Sequence, residues 1–439
     1  MTARSFASLS LFLAAAALLG SGEARALQPL QPFLDSAKTQ SPDAIEATAN
    51  VNAQDAQADV QFGKALPGLQ LRGTYTHNQY DSIFTFTPNP GAPQVTVTIQ
   101  PYDQFDAFGT INVPLIDLGQ WKRISAAKRG AEQTRKQLEA VQLQIAGAVA
   151  QDYYQLVADL ALVEASQRQL AVSRQSLALA QDKFTLGSGT ELDVDRARSE
   201  VERQVQQVAS SDLQVAIAAR ALTSASGLAP DVSSSADFTT DLHAEGPLEE
   251  LEKSVESLPQ MQAAVLAVEQ AQATADAQKW TLAPVLSGQF TEHLSNAPGF
   301  IGTDLSYSFF IALTWNIDFT TLASIRAQNA GAEVARAHEL RQRLASSDQI
   351  SLEWNSVKAA IAKSRSARIE VETSKHAEEL ATEQYKDGAA TQLDLLQAQR
   401  DAFTAEVSRI QADADLANSR AQLRLSAGQL LDGAAPVLK

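Results

Sequence analysis

The sequence predicts a mixed α and β fold, mainly α, built from two tandem repeats that each join a β-hairpin to a long antiparallel helical hairpin. Three observations predict it. Chain breakers are scarce: 21 Gly and 15 Pro in 439 residues are about 8% of the chain against a usual share near 12%. Landmarks in the sequence recur at a fixed displacement. Short stretches alternate apolar and polar residues with the period of a strand, while much longer ones keep helical spacing.

The chain opens with Arg4, an apolar run from Leu9 to Leu19, and Ala24-Arg25-Ala26. A positive start, a short apolar stretch and a small-residue cleavage site are the parts of a secretory signal peptide, expected over residues 1–26. Cleavage after Ala26 removes Arg4, Glu23 and Arg25 and moves the net charge from −16 to −17. No other stretch approaches the ~18 uncharged apolar residues of a spanning helix. The mature chain is therefore expected to be exported without being a helical membrane protein. With 51 Asp and Glu against 35 Lys and Arg, it lacks the basic footprint of a nucleic-acid binder. The absence of Cys excludes disulfides, thiolate metal sites and Cys nucleophiles.

Pro42 and Pro67 recur as Pro259 and Pro284, a displacement of 217 residues (42 to 259, 67 to 284). Leu115-Ile116-Asp117 then matches Asn316-Ile317-Asp318, displaced by 201 (117 to 318). The same register carries Gly187, Thr190, Leu192, Asp193, Ala197, Asp212, Ala216, Leu222 and Gly227 onto Gly388, Thr391, Leu393, Asp394, Ala398, Asp413, Ala417, Leu423 and Gly428. The first copy is thus longer by 16 residues (217 against 201) between Pro67 and Leu115. Pro88, Pro90, Gly91 and Pro93 lie in that excess, which reads as a longer loop.

Each copy runs through the same elements. A helix comes first (42–66 and 259–283) and ends at a Pro, which removes a donor and clashes with the preceding turn. A hairpin follows (67–116 and 284–318). Its clearest strand is 305–317, where Leu305, Tyr307, Phe309, Ile311, Leu313 and Trp315 alternate with Ser306, Ser308 and Thr314. Very long helices are expected at 120–186 and 321–387, each roughly 100 Å at the usual rise. Gly-bearing tips at 187–190 and 388–391 turn the chain into return helices that stop at Gly227 and Gly428. The domain reading is therefore a first repeat 27–227, a linker 228–257, a second repeat 258–428 and a tail 429–439.

Four strands are long enough to cross a bilayer when tilted. Unpaired strand edges find no water in lipid, and the smallest single-chain barrels use about eight strands. Four strands cannot close alone, and the long helices cannot bury their stripes on two hairpins. Both elements call for an oligomer.

Tandem copies of helix, hairpin, long helix, Gly-bearing tip and return helix resemble the TolC-like outer-membrane efflux proteins. The tips Phe184-Thr-Leu-Gly187-Ser-Gly-Thr190-Glu-Leu192-Asp193 and Tyr385-Lys-Asp-Gly388-Ala-Ala-Thr391-Gln-Leu393-Asp394 carry the resemblance, which covers roughly residues 35–430. It implies a homotrimer with a twelve-stranded β-barrel in the Gram-negative cell outer membrane, continued by an α-barrel through the periplasm. It also implies partners: a periplasmic adaptor (membrane fusion) protein and an inner-membrane transporter, with outer-membrane lipid around the barrel. The function implied is the passive exit duct of a tripartite efflux system, or of a type I protein secretion system. A periplasmic coiled-coil scaffold is the alternative of another class.

The resemblance also supplies site residues. Asp394 takes the slot of an acidic ring at the constriction, where three carboxylates would gather and raise one another's pKa. Gln397 stands where a second acidic ring is often found. Tyr385 and Asp193 take the slots of a closed-gate latch, and Ala390 stands where a basic residue sometimes joins it. Gly187 and Gly388 permit tight turns and would let an adaptor's hairpin tips approach. Read without the resemblance, Asp193 and Asp394 are favourable charges at helix N-termini. Tyr75, Tyr80, Tyr307 and Trp315 are candidates for aromatic belts. No catalysis, cofactor or metal is expected: His338-Glu339-Leu340-Arg341-Gln342 begins like a zinc-protease helix but has Gln342 in place of the second His.

Overall fold

The computed structural model describes residues 27–232, 238, 241–300 and 302–431. The expected signal peptide and most of the tail lie outside them. The chain is mainly helical with one principal sheet. α1 (Leu30–Gln40) and α2 (Pro42–Gly63) lead into β1 (Gly68–His77), β2 (Ser82–Phe86), β3 (Val95–Gln100) and β4 (Asp103–Ile116). α3 (Leu118–Thr185) and α4 (Glu191–Ser226) complete the first half. After the short α5 (Leu248–Glu252) come α6 (Pro259–Trp280), β5 (Val285–Ser295), β6 (Leu305–Thr314), α7 (Phe319–Asp387) and α8 (Gln392–Ser426).

The two halves start and stop their helices with the same devices. Asp117 and Asp318 cap α3 and α7, accepting from Gln120 N at 2.8 Å and Thr321 N at 2.6 Å. Such caps satisfy N–H groups that the first helical turn leaves without partners. Gly227 and Gly428 end the return helices at φ 74° and 73°, a conformation that costs an L side chain about 1–2 kcal/mol. Each of these glycines also abuts the chain just ahead of a helix-opening Pro. A Cβ on Gly227 would lie 2.9 Å from Gln40 Cβ, and one on Gly428 would lie 2.9 Å from Leu258 Cδ2. α4 thus butts against the start of α2, and α8 against the start of α6. Above this joint the helices pack in the order α2, α3, α6, α7; below it α3 packs on α4 and α8, and α8 on α7. At this level sits the main apolar core, where Val149, Tyr153, Leu156 and Val157 of α3 meet Phe33 of α1 and Leu222 of α4.

Three features differ from the sequence reading. α1 was not expected, although Leu30, Phe33, Leu34 and Ala37, all buried, follow helical spacing. The Pro-rich excess of the first half is not a plain loop. It contains the β2–β3 hairpin, in which Phe84 pairs with Val97 and Phe86 with Val95; the prolines and Gly91 mark only its turn. The two long hairpins are also not separate. β4 pairs with β5 from Asp106↔Ser295 onward, so the strands form one open sheet in the order β1-β4-β5-β6. Its outer edges, on β1 and β6, carry no partner strand among the described residues.

Candidate functional site

Strand register alone separates the sheet into two surfaces, because paired residues share a face. One face carries the four-strand ladders Leu69↔Ile111↔Phe290↔Phe309 and Gly73↔Ala107↔Leu294↔Leu305. The other carries Gln70↔Thr110↔Thr291↔Ser308 and Arg72↔Phe108↔His293↔Ser306. On the polar face His293 Nε2 lies 2.8 Å from Asp106 Oδ1, and its ring stacks on Phe108 at 4.2 Å. The apolar face is uncovered in the single chain: Leu71 is 77% and Tyr307 78% exposed. Its carboxylates are Glu292, in register with Gly109 and Tyr307, and Asp103, in register with His77 at the far end. No helix among the described residues is long and apolar enough to cross a membrane.

Aromatic residues lie near both ends of the sheet. At the end far from the helices Tyr75 donates its hydroxyl to Asp103 Oδ1 at 2.7 Å, and Tyr80 is exposed. At the helical end Trp121, Trp280 and Trp315 are all exposed, and Trp315 Nε1 donates to Leu282 O at 2.9 Å. Trp121 and Trp280 were missed in the sequence because they stand within helical rather than alternating stretches.

At the opposite end of the molecule the tips are twin capping boxes. Thr190 Oγ1 accepts from Asp193 N at 3.2 Å, and Asp193 Oδ2 accepts from Thr190 Oγ1 at 2.7 Å. Thr391 and Asp394 repeat the arrangement at 3.2 and 2.6 Å. Hydrogen bonds from Thr391 hold the Asp394 carboxyl below the usual range, the opposite direction from a gathered acidic ring, because the single chain contains one such carboxylate and its cap stabilises the charge. Asp394 opens onto a groove of about 360 Å³ between α7 and α8, shared with Thr373, Gln397 and Asp401. Gln397 donates to Asp401 Oδ1 at 2.8 Å, so a second carboxylate does reach this groove, one turn beyond the slot that Gln397 fills.

Tyr385 is buried at the end of α7. Its hydroxyl pKa is raised, first by burial and then by the charge of Asp193, so the two tips lie side by side. Among the described residues no hydrogen bond joins Tyr385 to Asp193. Lys183 Nζ lies 4.7 Å over the Tyr385 ring and donates to Lys386 O at 3.3 Å. Ammonium over an aromatic face is attractive, and a cation suits the C-terminal end of α7. Lys183 was missed in the sequence; its signal is a lone cation beside Phe184, the residue that the repeat aligns with Tyr385. Gly187 and Gly388 sit at φ 78° and 79° with open space around a would-be Cβ.

A cavity of about 970 Å³ lies where α3, α6, α7 and α8 meet, and Gln137, Gln144, Gln151, Gln342, Gln349 and Gln422 are among its walls. Its lining is rich in amides and holds a single carboxylate, Glu353, and no cationic side chain.

A family model described as outer membrane efflux protein matches residues 33–228 and 251–429. No curated protein sequence matches. Among solved structures, CusC, whose crystal structures concern transmembrane channel formation, superposes with a TM-score of 0.77 at 15% identity, over 92% of each chain. The CmeC outer membrane channel of Campylobacter jejuni gives 0.75 at 16% identity, over 96% of this chain and 94% of its own. The open state of the Neisseria gonorrhoeae MtrE outer membrane channel gives 0.72 at 17% identity, over 92% and 90%.

Proposed function

The chain belongs to the outer membrane efflux protein family, and on that premise we propose that three copies form the exit duct of a tripartite efflux system in the outer membrane. One observation carries the proposal. A single chain presents a four-stranded sheet with two free edges, apolar on one face and polar on the other, on the same polypeptide as helices roughly 100 Å long. Lipid would leave the N–H and C=O groups of β1 and β6 without partners. A neighbour's β1 pairing with β6 satisfies them, and three copies give twelve strands and a closed wall. The apolar ladders then face lipid, the Thr, Gln and Ser ladders face water, and the helices continue the wall into the periplasm.

In this duct nothing is catalysed. Solutes handed over by a periplasmic adaptor and an inner-membrane transporter pass down a wetted path, to which the amide-lined cavity adds polar surface. The tips are the gate. Three-fold symmetry brings Asp394 and Asp401 from each copy towards the axis as acidic rings that attract cations, and Tyr385, Asp193 and Lys183 hold neighbouring tips together. Gly187 and Gly388, with no side chain and free surroundings, are where adaptor hairpins dock. A type I secretion duct would use the same architecture for a different cargo.

The test is the purified mature protein. In detergent it should run at the mass of three chains, and in planar bilayers it should open cation-selective channels. Asp394→Ala should reduce both cation selectivity and block by divalent ions. A stable, detergent-independent monomer would overturn the duct, and unchanged selectivity in Asp394→Ala would overturn the acidic ring.

A further inference from the structure

The cavity where α3, α6, α7 and α8 meet has a composition unlike the other faces of those helices. Eight of the residues that line it are Gln, joined by Asn418 and Ser426. On α3, Gln137, Gln144 and Gln151 recur every seven residues, and on α7 Gln342 and Gln349 repeat the interval. Seven residues return a helix to nearly the same face after a rise of about 10 Å, so the amides form a stripe on each wall. A solvated helix face ordinarily carries charge, and the other faces of α3 do. Over the same stretch Arg129 pairs with Glu132, Arg135 with Asp55 and Lys136 with Glu139. The cavity holds no such group apart from Glu353. That carboxylate accepts from Gln349 at 2.6 Å, and burial raises its pKa against this bond.

The site is built within one chain. α6 and α8 meet near the joint where Gly428 abuts Leu258, and both pack on α3 and on α7. Gly147 lets α8 close the wall: Gln422 Nε2 donates to Gly147 O at 3.0 Å, and a Cβ on Gly147 would lie 3.1 Å from Gln422 Oε1. The linker packs on other positions of the same helices. Its Leu248 and Leu251 lie against Leu258, Met261 and Ile350, none of which lines the cavity. Between the amides Ala140, Ala263, Ala264 and Ala267 supply small apolar surface. At about 970 Å³ the volume is at the upper end of the ~300–1,000 Å³ usual for small-molecule sites.

Each Gln amide offers two donors and an acceptor oxygen, which suits hydroxyl groups because they also donate and accept. A charged solute would lose hydration here with little opposite charge to replace it. A neutral solute with hydroxyls at its edges and C–H faces between them fits both the amides and the Ala surface. An amide repeat near 10 Å is also comparable with the length of two linked sugar rings. We propose that this cavity is a binding site for an uncharged oligosaccharide. This rests on the duct reading above and names a class of solute that the duct engages in passage.

The experiment uses the full mature assembly in a detergent without a sugar headgroup, with maltohexaose as the probe in titration calorimetry. A cationic glucosamine oligomer and an uncharged capped alanine peptide of similar length serve as comparators. Assembly mass and thermal stability are measured in parallel. Wild type should bind maltohexaose saturably and prefer it to both comparators. Gln137→Leu with Gln144→Leu should weaken binding about ten-fold or more, since two hydrogen-bonding amides are lost. Gln144→Glu should weaken maltohexaose and improve the glucosamine oligomer. Should the double Leu variant fail to assemble, Gln144→Glu decides. Unchanged maltohexaose affinity in an assembled variant overturns the site, as does a wild type that binds no maltohexaose. A capped peptide that binds as tightly overturns the sugar assignment, and a glucosamine oligomer that does so overturns the preference for an uncharged ligand. Wild type that binds maltohexaose in detergent but never conducts in planar bilayers overturns the duct reading and leaves the site standing, which separates the two failures.

Discussion

The middle of α3 and its last third are one continuous helix in two environments. In the middle, Val149, Tyr153, Leu156 and Val157 are at most 2% exposed and pack on α1 and the end of α4. Towards the tip the same helix turns Ser166, Gln169, Ser173 and Ser176 inward, also buried at no more than 6% exposed but polar. Apolar burial is lost on separation and has no substitute in water, whereas a buried hydroxyl or amide exchanges one partner for another at small net cost. The difference teaches that the hairpins are anchored at mid-length and only zipped beyond it.

Removing apolar volume from the anchor should have the largest effect. Leu156 has no exposed surface, and Leu156→Ala should cost about 2–5 kcal/mol, seen as a lower unfolding midpoint in denaturant. Ser173→Ala, in the zipped region, should be neutral or stabilising because its Oγ has no partner. Equal losses from the two substitutions would erase the contrast.

Alkali should attack the anchor next. Burial pushes Tyr154 up to about 12 and raises Tyr153 as well. An unfolded Tyr titrates near 10, so the folded value is the higher one and the contribution of Tyr154 is intact below about pH 10. It is lost as pH rises through about 12, a change on the order of 3 kcal/mol for this residue. Thermal midpoints measured from pH 8 upward should fall in that window, and Tyr154→Phe should flatten the fall. An unchanged alkaline profile in Tyr154→Phe would show that some other group is responsible.

The smallest effect separates glycines that share a backbone conformation. Gly227, at the joint, and Gly187, at the tip, both have positive φ, so an Ala at either pays about 1–2 kcal/mol. Only at Gly227 does the new Cβ meet another Cβ, that of Gln40, which adds an overpacking cost of about 1–3 kcal/mol. Gly227→Ala should therefore melt lower than Gly187→Ala. The reverse order would mean that the joint yields and the tip does not.

Much of the architecture was legible in the chain itself. The Leu305 to Leu313 alternation gives the strand and its apolar face, and the scarcity of Gly and Pro over 118–185 gives the long helix. Legibility failed in two instructive ways. In the first half, Pro88 to Pro93 drew attention away from Phe84-Thr85-Phe86 and Val95 to Ile99, which alternate and pair; breakers mark a turn, not the absence of strands beside it. At the tips Asp193 and Asp394 read as charges at helix N-termini, yet nothing local announced Lys183 over Tyr385 or Arg400 on Glu200.

The amino-acid order by itself determined the type and succession of the long elements, which face of the clearest strand is apolar, and that the pattern occurs twice. Those properties depend on backbone geometry and on contrast with solvent within a short window. Only the tertiary structure decided that β4 pairs with β5, that α4 and α8 butt against α2 and α6, and that Glu200 meets Arg400 and Arg168 meets Glu406 between the helical hairpins. Those contacts join residues far apart in the chain, and alternation says which way a side chain faces but not which surface comes to meet it.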